Sequence, residues 1–248
     1  MSTSPPTAGG RGGLSNAIDI VIAPNAAFDR LRETPTWLWA FAVALVCGII
    51  GTLVAHPAFV HAFDTSMPAQ LAADPNIAKL PPEQQQRQIA MVMGISRFMF
   101  GIAWLFVPFA ILIGGLIQGL VLTIENAIGR GQGSFAKFFA LSVTASVVGI
   151  GLYYLAFAAI VMVRGPSSFE TMSALQNVVP GLALLAPGAH GFLAGFLGAL
   201  SVFTLWATAL LALGTIRIAH ISPVLAWSGP VVLLLIGALF AGFGARNG

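Results

Sequence analysis

Long apolar stretches recur along the chain, and polar or glycine- and proline-rich segments separate them. Five of these stretches are long enough to cross a hydrocarbon core, which takes about 20 apolar residues in a helix. The pattern predicts crossings at 37–54, 98–124, 138–163, 192–215 and 224–243. We therefore expect an all-α, polytopic membrane protein built as a five-helix transmembrane bundle.

The segment before the first crossing predicts an amphipathic helix that lies at the membrane surface. Its apolar residues fall near one helical face, and Pro35 ends it because the proline ring disfavours helix in the residue before it. Tryptophan side chains prefer the head-group level of a bilayer. The predicted interfacial anchors are Phe28, Leu31, Trp37 and Trp39.

Two further segments are predicted to lie outside the membrane. Residues 1–16 are rich in serine, proline and glycine, which predicts a disordered tail ahead of a membrane domain at 17–248. The loop 58–92 is polar and punctuated by proline, and we expect it to be mobile or to lie on the surface; its role stays open. Within it, Pro81, Pro82 and Glu83 predict a helix start that leads into the second crossing.

Composition narrows the functional classes. The chain is 57% hydrophobic and only 8% charged, and its eleven Lys and Arg are spread along it, so nucleic-acid binding is not expected. Cys47 is the only cysteine, which excludes an intramolecular disulfide. Arg30 and Arg32 directly precede the first crossing, and positive residues favour the cytoplasmic side. We expect a cytoplasmic N-terminus and, with five crossings, a C-terminus outside.

Motifs for catalysis, cofactors or metals are not found. The four histidines lack the spacing of a zinc site, and the run GRGQGSF lacks the lysine and preceding strand of a phosphate-binding loop. We expect no metal, no cofactor and no enzymatic activity. Glu125 stands at the end of the second crossing, where we expect it to reach water or to pair with Arg130.

Small and hydroxylated residues recur at helical spacing within three crossings. Such faces let helix backbones approach in lipid, and their hydroxyls can form interhelical hydrogen bonds of about 1 kcal/mol. We interpret them as helix-packing or partner-binding faces, since the lining of a substrate path needs more polarity. The residues are Gly198, Ser201, Thr204, Thr208 and Thr215 in the fourth crossing, Ser142, Ser146 and Gly149 in the third, and Gly115 and Gly119 in the second.

Three stretches resemble the Yip domain family of Ypt/Rab-interacting membrane proteins, in its bacterial branch. They are IAPNAAFDRLRETPTWLWAF, GQGSFAKFF and LSVFTLWATALLALGTIRIAHIS, with matching positions at Pro24, Phe28, Pro35, Trp37, Gly133, Ser134, Phe135, Phe203, Trp206 and Gly214. The resemblance implies a five-helix membrane domain with a cytoplasmic N-terminus. The acidic stretch of the eukaryotic branch is absent, so a Rab-type GTPase is not an expected partner. Some bacterial members of the family accompany ABC-type export systems.

Two functions follow as hypotheses. The first is a non-enzymatic membrane scaffold or adaptor, whose partners are membrane lipids and other integral membrane proteins or a second copy of itself. The alternative is a permease-like component that moves a lipid or small amphiphile, with or without an ABC-type export system. We expect a bacterial inner-membrane protein; the sequence names neither a partner nor a transported ligand.

Overall fold

The structure, a computed structural model, describes residues 9–245, with side chains described from residue 13. It is 85% helical, and the residues it describes contain no β-strand. A 3₁₀ turn at Ala103–Phe106 and a π-helical segment at Val147–Leu152 interrupt two long helices. The α-helices are α1 (Gly9–Ile22), α2 (Pro24–Glu33), α3 (Leu38–Ala73), α4 (Pro75–Ala78), α5 (Pro82–Ile102), α6 (Val107–Ile128), α7 (Phe135–Ser146), α8 (Tyr153–Arg164), α9 (Met172–Gln176), α10 (Gly191–Ala199), α11 (Val202–Ala219) and α12 (Pro223–Ala245).

Five helical stretches are long and apolar enough to cross a membrane, which confirms the predicted all-α membrane fold. Large apolar side chains stay exposed on them, including Val163 at 88% and Phe240 at 74%. Lipid tails can cover such side chains, whereas water would not favour so much exposed apolar surface. These five helices fit an integral membrane protein. The five stretches are Leu38–Ala73, Pro82–Ile128, Phe135–Arg164, Val202–Ala219 and Pro223–Ala245.

The first spanning helix is longer than predicted, because α3 continues through Pro57 and Pro68 to Ala73. Its 36 residues correspond to about 54 Å of helix, well over the roughly 30 Å of a hydrocarbon core. The expectation of a mobile or surface loop from residue 58 onward is therefore wrong up to Ala73, whereas the helix start predicted at Pro81, Pro82 and Glu83 is confirmed. Each proline removes one backbone hydrogen bond, and the turns on either side of it continue.

Tertiary contacts explain why that segment is helical. Arg97 in α5 forms a two-pronged ion pair with Asp64 in α3, at 2.9 and 3.0 Å. The Phe63 ring lies edge-on to the Phe100 ring, with centroids 5.3 Å apart. These contacts fix α3 beside α5, which begins at Pro82 as predicted.

The fourth predicted crossing is wrong as a continuous helix over 192–215. The chain forms α10 up to Ala199, leaves helical geometry at Leu200 and Ser201, and resumes as α11 at Val202. Apolar periodicity runs through both pieces, so the pattern alone carries no sign of the break. Hydrogen bonds from the segment around Gly181, which precedes α10, decide it.

The N-terminal helices are docked on protein. Phe28 is 1% exposed, and Leu31 is fully buried. A Cβ on Gly214 of α11 would come within 3.0 Å of the Phe28 ring, so this glycine makes room for the phenylalanine. The expectation that Phe28 and Leu31 are lipid anchors is therefore wrong. Their amphipathic face packs against a protein surface in which Gly214 leaves space for the Phe28 ring.

The other two predicted anchors differ from each other. Trp39 is 47% exposed, as an interfacial anchor would be. Trp37 is half-buried and lies edge-on to Phe41 and Phe139, with ring centroids 6.0 and 5.4 Å apart. The predicted disordered tail at 1–16 is helical from Gly9, and residues 1–8 lie outside the described part of the chain.

The chain forms two compact units. Unit 1 contains the described residues up to Cys47, together with Pro108–Tyr153 and Phe203–Ile236. Unit 2 contains Gly48–Val107, Tyr154–Val202 and the described residues from Gly237.

Each unit has its own core. In unit 1, Phe28 of α2 is buried, and so are Phe138 and Leu141 of α7. In unit 2, the Phe59 ring stacks on Phe157 with centroids 5.6 Å apart.

Candidate functional site

The glycines of the predicted small-residue faces are packing positions inside the chain. A Cβ on Gly119 would lie 3.1 Å from the Phe139 backbone nitrogen, and one on Gly115 would lie 3.0 Å from a Val143 methyl group. A Cβ on Gly149 would lie 3.1 Å from that of Ala207. These three glycines therefore serve close helix approach within unit 1.

Four of the predicted hydroxyls bond within their own helices. Thr208 donates to the Thr204 carbonyl at 2.8 Å, and Thr215 donates to the Leu211 carbonyl at 2.7 Å. In α7, Ser142 donates to the Phe138 carbonyl at 2.8 Å, and Ser146 donates to the Ser142 carbonyl at 3.1 Å. Such back-bonding satisfies a hydroxyl in an apolar setting without a partner helix. Interhelical hydrogen bonds, which the sequence led us to expect, are not what these groups form.

Ser201 and Gly198 lie apart from that set. Both belong to unit 2, whereas Thr204, Thr208 and Thr215 belong to unit 1. Ser201 is 1% exposed and sits in the break of the fourth crossing. The structure therefore divides the predicted face of this crossing between two different surroundings.

The break is stabilised by the segment around Gly181. The Leu182 N–H donates to the Leu200 carbonyl, and the Val202 N–H donates to the Pro180 carbonyl, both at 3.0 Å. This short antiparallel bridge gives partners to backbone groups that the interrupted helix leaves open. Backbone groups without a partner cost several kcal/mol in lipid, so irregular chain persists there only when protein or a polar cavity satisfies it.

The short helix α10 packs on a spanning helix. A Cβ on Gly195 would come within 2.5 Å of the Ala241 carbonyl oxygen and of the Ala245 Cβ, both in α12. The Phe192 ring lies edge-on to Phe243, with centroids 5.1 Å apart. The break is therefore the end of a helix that lies directly against α12.

Two cavities lie in unit 2, and Gly181 of the bridge lines the smaller of them. The larger has a volume of about 710 Å³ and the smaller about 220 Å³. Asn177 and Ala194 line both of them. A Cβ on Gly198 would lie 3.0 Å from the Asn177 side-chain oxygen, so this amide also touches the helix that ends at the break. The geometry joins a broken helix, an amide and a ligand-sized space.

A buried carboxylate is the second unusual feature, at a residue that the sequence pattern indicates only as an acid at a helix end. Glu125 is 5% exposed. Its Oε1 accepts from the Ser228 hydroxyl at 2.7 Å and from the Gly229 N–H, both in α12. Its Oε2 has no hydrogen-bond partner among the described residues. The expected exposure to water is wrong, and Arg130 is not its partner in the described ion pairs.

The sequence does carry a signal for this contact. Pro230 lies inside α12 and cannot donate a backbone hydrogen bond, so the helix is perturbed at that point. Ser228 and Gly229 directly precede it, and a side chain larger than glycine at 229 would overlap Glu125. The Gly229–Pro230 pair inside an apolar run is thus the sequence feature that coincides with the Glu125 contact.

The glycine-rich run after α6 is a turn, as predicted. Gly133 donates its backbone N–H to the Asn126 side-chain oxygen at 2.9 Å. Gln132 donates its own to the Ala219 carbonyl at 2.9 Å. Among the described residues no three His, Cys, Asp or Glu side chains cluster as metal ligands would.

An ion pair fastens α2 to the end of α11. Arg217 donates from Nε and a terminal nitrogen to the two carboxylate oxygens of Asp29, at 2.8 and 3.0 Å. The hydrogen bond from Arg217 holds the pKa of the Asp29 carboxyl below its ordinary value, and the charges of Arg217 and Arg32 act in the same direction, against partial desolvation.

This pair predicts a pH dependence. A carboxyl whose pKa is lower in the folded state stabilises the fold above its unfolded pKa, and that contribution is lost as pH falls through the folded pKa. The thermal midpoint of the wild type should therefore approach that of Asp29→Asn at acid pH. Glu33→Gln, at an exposed acid of the same helix that lies in none of the described ion pairs, is the matched control and should change the thermal midpoint little. A gap between wild type and Asp29→Asn that persists in acid would contradict the assignment.

No protein-family model, curated protein sequence or solved structure matches this chain.

Proposed function

We propose that the protein is a non-enzymatic, permease-like membrane component that binds a small amphiphile in unit 2 and moves it through the membrane. The single observation that carries this proposal is the break at Leu200 and Ser201, bridged by the segment around Gly181. Interrupted helices in membrane transport proteins border their ligand sites, because non-helical backbone is tolerated where it lines a cavity. Here Gly181 of the bridge lines the smaller cavity, of about 220 Å³. This cavity shares Asn177 and Ala194 with the larger one of about 710 Å³, a volume within the usual range for small-ligand sites.

The scaffold hypothesis receives less support from the geometry. Its predicted partner face consists of residues that the chain uses for its own packing. Ser142 and Thr215 are fully buried, and Thr208 is buried as well. A surface already covered by the same chain cannot bind a second protein without unfolding part of the first.

The setting of the proposed activity follows the sequence. We propose a bacterial inner membrane, with the N-terminus in the cytoplasm because Arg30 and Arg32 precede the first spanning helix. Membership of the Yip domain family stays a prediction from the resemblance, and so does cooperation with an ABC-type export system.

Transport can be tested with the full chain in phosphatidylcholine vesicles that contain a fluorescent lipid. The chain should speed the movement of this lipid between leaflets over protein-free vesicles. Gly181→Ala should reduce the rate strongly, because its Cβ would come within 2.6 Å of the Leu200 carbonyl oxygen and would separate the bridge. Gly188→Ala is the matched control, since a Cβ there has nothing within 4 Å.

Three readings of that experiment are informative. A rate equal to that of protein-free vesicles argues against transport of this class of amphiphile. Equal rates for the wild type and a folded Gly181→Ala protein argue that the break has no part in it. A loss in Gly181→Ala with a normal rate in Gly188→Ala supports the proposal.

A further inference from the structure

The buried carboxyl group of unit 1 has no counter-charge. Of the eight Asp and Glu residues in the chain, Glu125 alone is buried, with 5% of its surface exposed. None of the described ion pairs includes it. An ionised carboxylate without a cation is costly away from water, and such a group is more stable when a proton neutralises it. The surroundings of Glu125 therefore favour the uncharged form.

The elements that pack around Glu125 carry few other groups that can ionise. Glu125 is the only ionisable residue of α6, and α12 contains none. Lys137 lies on α7, which approaches α6 closely at Gly119. Arg130 and His220 are exposed in the connections that follow α6 and precede α12. None of these three bases forms a described ion pair with the carboxyl group.

The contacts of Ser228 contain one hydrogen too few for an ionised Glu125. The Ser228 Oγ lies 2.7 Å from Glu125 Oε1 and 2.7 Å from the Leu225 carbonyl oxygen. A serine hydroxyl has one hydrogen to donate, and both of these oxygens are pure acceptors when the carboxyl is ionised. The single hydrogen can then satisfy only one of the two contacts fully.

A proton on Glu125 completes this set of hydrogen bonds. With the proton on Oε1, the carboxyl donates to Ser228, and Ser228 donates to the Leu225 carbonyl. Oε1 still accepts from the Gly229 N–H. Oε2 is then a neutral carbonyl oxygen. Its lack of a partner among the described residues costs less than it would for a charged oxygen.

We infer that Glu125 is a proton-binding site, and that the bound proton forms a hydrogen bond to Ser228 and exchanges with water through that hydroxyl. The proton comes from water and forms an O–H bond with one carboxylate oxygen, so no other reactant is needed. Ser228 is exposed in the second turn of α12, near the end of this spanning helix. Loss of the proton leaves Ser228 with two acceptors for one hydrogen, so the contact between α6 and α12 depends on it.

Infrared spectroscopy of the full chain at neutral pH can detect this proton. The chain is measured in dodecylmaltoside micelles, because this detergent has no carbonyl group of its own. A protonated carboxyl absorbs apart from ionised carboxylates and peptide groups, and the wild type should show one such band. Glu125→Gln should lose it, since an amide replaces the carboxyl group. Glu33→Gln, at an exposed acid, is the matched control and should keep it.

Exchange through Ser228 is tested by transfer to D₂O. The wild-type band should move to lower frequency as deuterium replaces the proton. Ser228→Ala should keep the band but place it at higher frequency, because the carboxyl loses its hydrogen-bond acceptor, and should slow the shift in D₂O severalfold.

The outcomes separate the parts of the inference from each other and from the proposed transport. No band in the wild type, or a band that survives Glu125→Gln, overturns the proton-binding site. A wild-type band that stays in place in D₂O overturns the exchange. Equal band frequencies in Ser228→Ala and the wild type overturn the hydrogen bond to Ser228. The site lies in unit 1 and stands whether or not the vesicle assay shows lipid movement.

Discussion

Replacing Gly51 with alanine is expected to lower the free energy of unfolding by about 3 kcal/mol, at the upper end of overpacking effects. A Cβ at this position would lie 2.6 Å from both the Tyr154 Cβ and its carbonyl oxygen. Because backbone cannot rotate aside as a flexible side chain does, α3 and α8 must separate along their contact. In lipid, such close approach of small residues is a main source of helix association.

The measurement is unfolding in mixed micelles of a mild detergent and sodium dodecyl sulfate. Gly94→Ala, in α5 of the same unit, is the matched control because nothing lies within 4 Å of its added Cβ. It should be neutral or stabilising by up to about 1 kcal/mol, the helix-propensity difference between glycine and alanine. Equal effects of the two substitutions would contradict the close contact.

Replacing Glu125 with alanine is expected to cost about 2–3 kcal/mol, because it leaves the buried Gly229 N–H without an acceptor and opens a cavity. The substitution also removes the free-energy cost of keeping a carboxylate away from water, and this gain opposes the loss. We expect the loss to win, since Oε1 already receives two hydrogen bonds, from Ser228 and Gly229. Glu125→Gln keeps an oxygen at that place and should cost less than Glu125→Ala.

A double-mutant cycle with Ser228→Ala isolates the contact between α6 and α12. The coupling energy between Glu125→Ala and Ser228→Ala should be on the order of 1 kcal/mol, as for residues that share a hydrogen bond. Ser228 also donates to the Leu225 carbonyl at 2.7 Å, so its own substitution should be mild. If the two changes in the free energy of unfolding simply add, the Ser228 hydroxyl contributes no stability through Glu125.

Several of the sequence predictions failed for one common reason. The amphipathic pattern around Phe28 is the same for a helix that lies on lipid and for one that lies on protein. Only the recess beside Gly214 distinguishes the two cases. Likewise, prolines at 57 and 68 suggested a loop, and contacts such as Asp64–Arg97 keep the segment helical.

The candidate site was the least predictable part. Gly198 and Ser201 were singled out as small and polar residues, but as members of a continuous helical face. The residues that line the cavities, such as Asn177 and Gln176, lie between the third and fourth predicted crossings, where the sequence pattern predicts no site. The sequence indicates that Glu125 stands at the end of a crossing, but it carries no sign that the carboxylate is buried against Gly229.

The sequence by itself determined the fold class and the number of spanning helices. Apolar length sets both, since about 20 apolar residues cross a hydrocarbon core whatever their neighbours are. The tertiary structure alone decided the break at Leu200 and Ser201 and the place of Glu125. Each depends on hydrogen bonds to residues outside its own helix, at Gly181 for the break and at Gly229 for Glu125, and such pairing leaves no local period in the sequence.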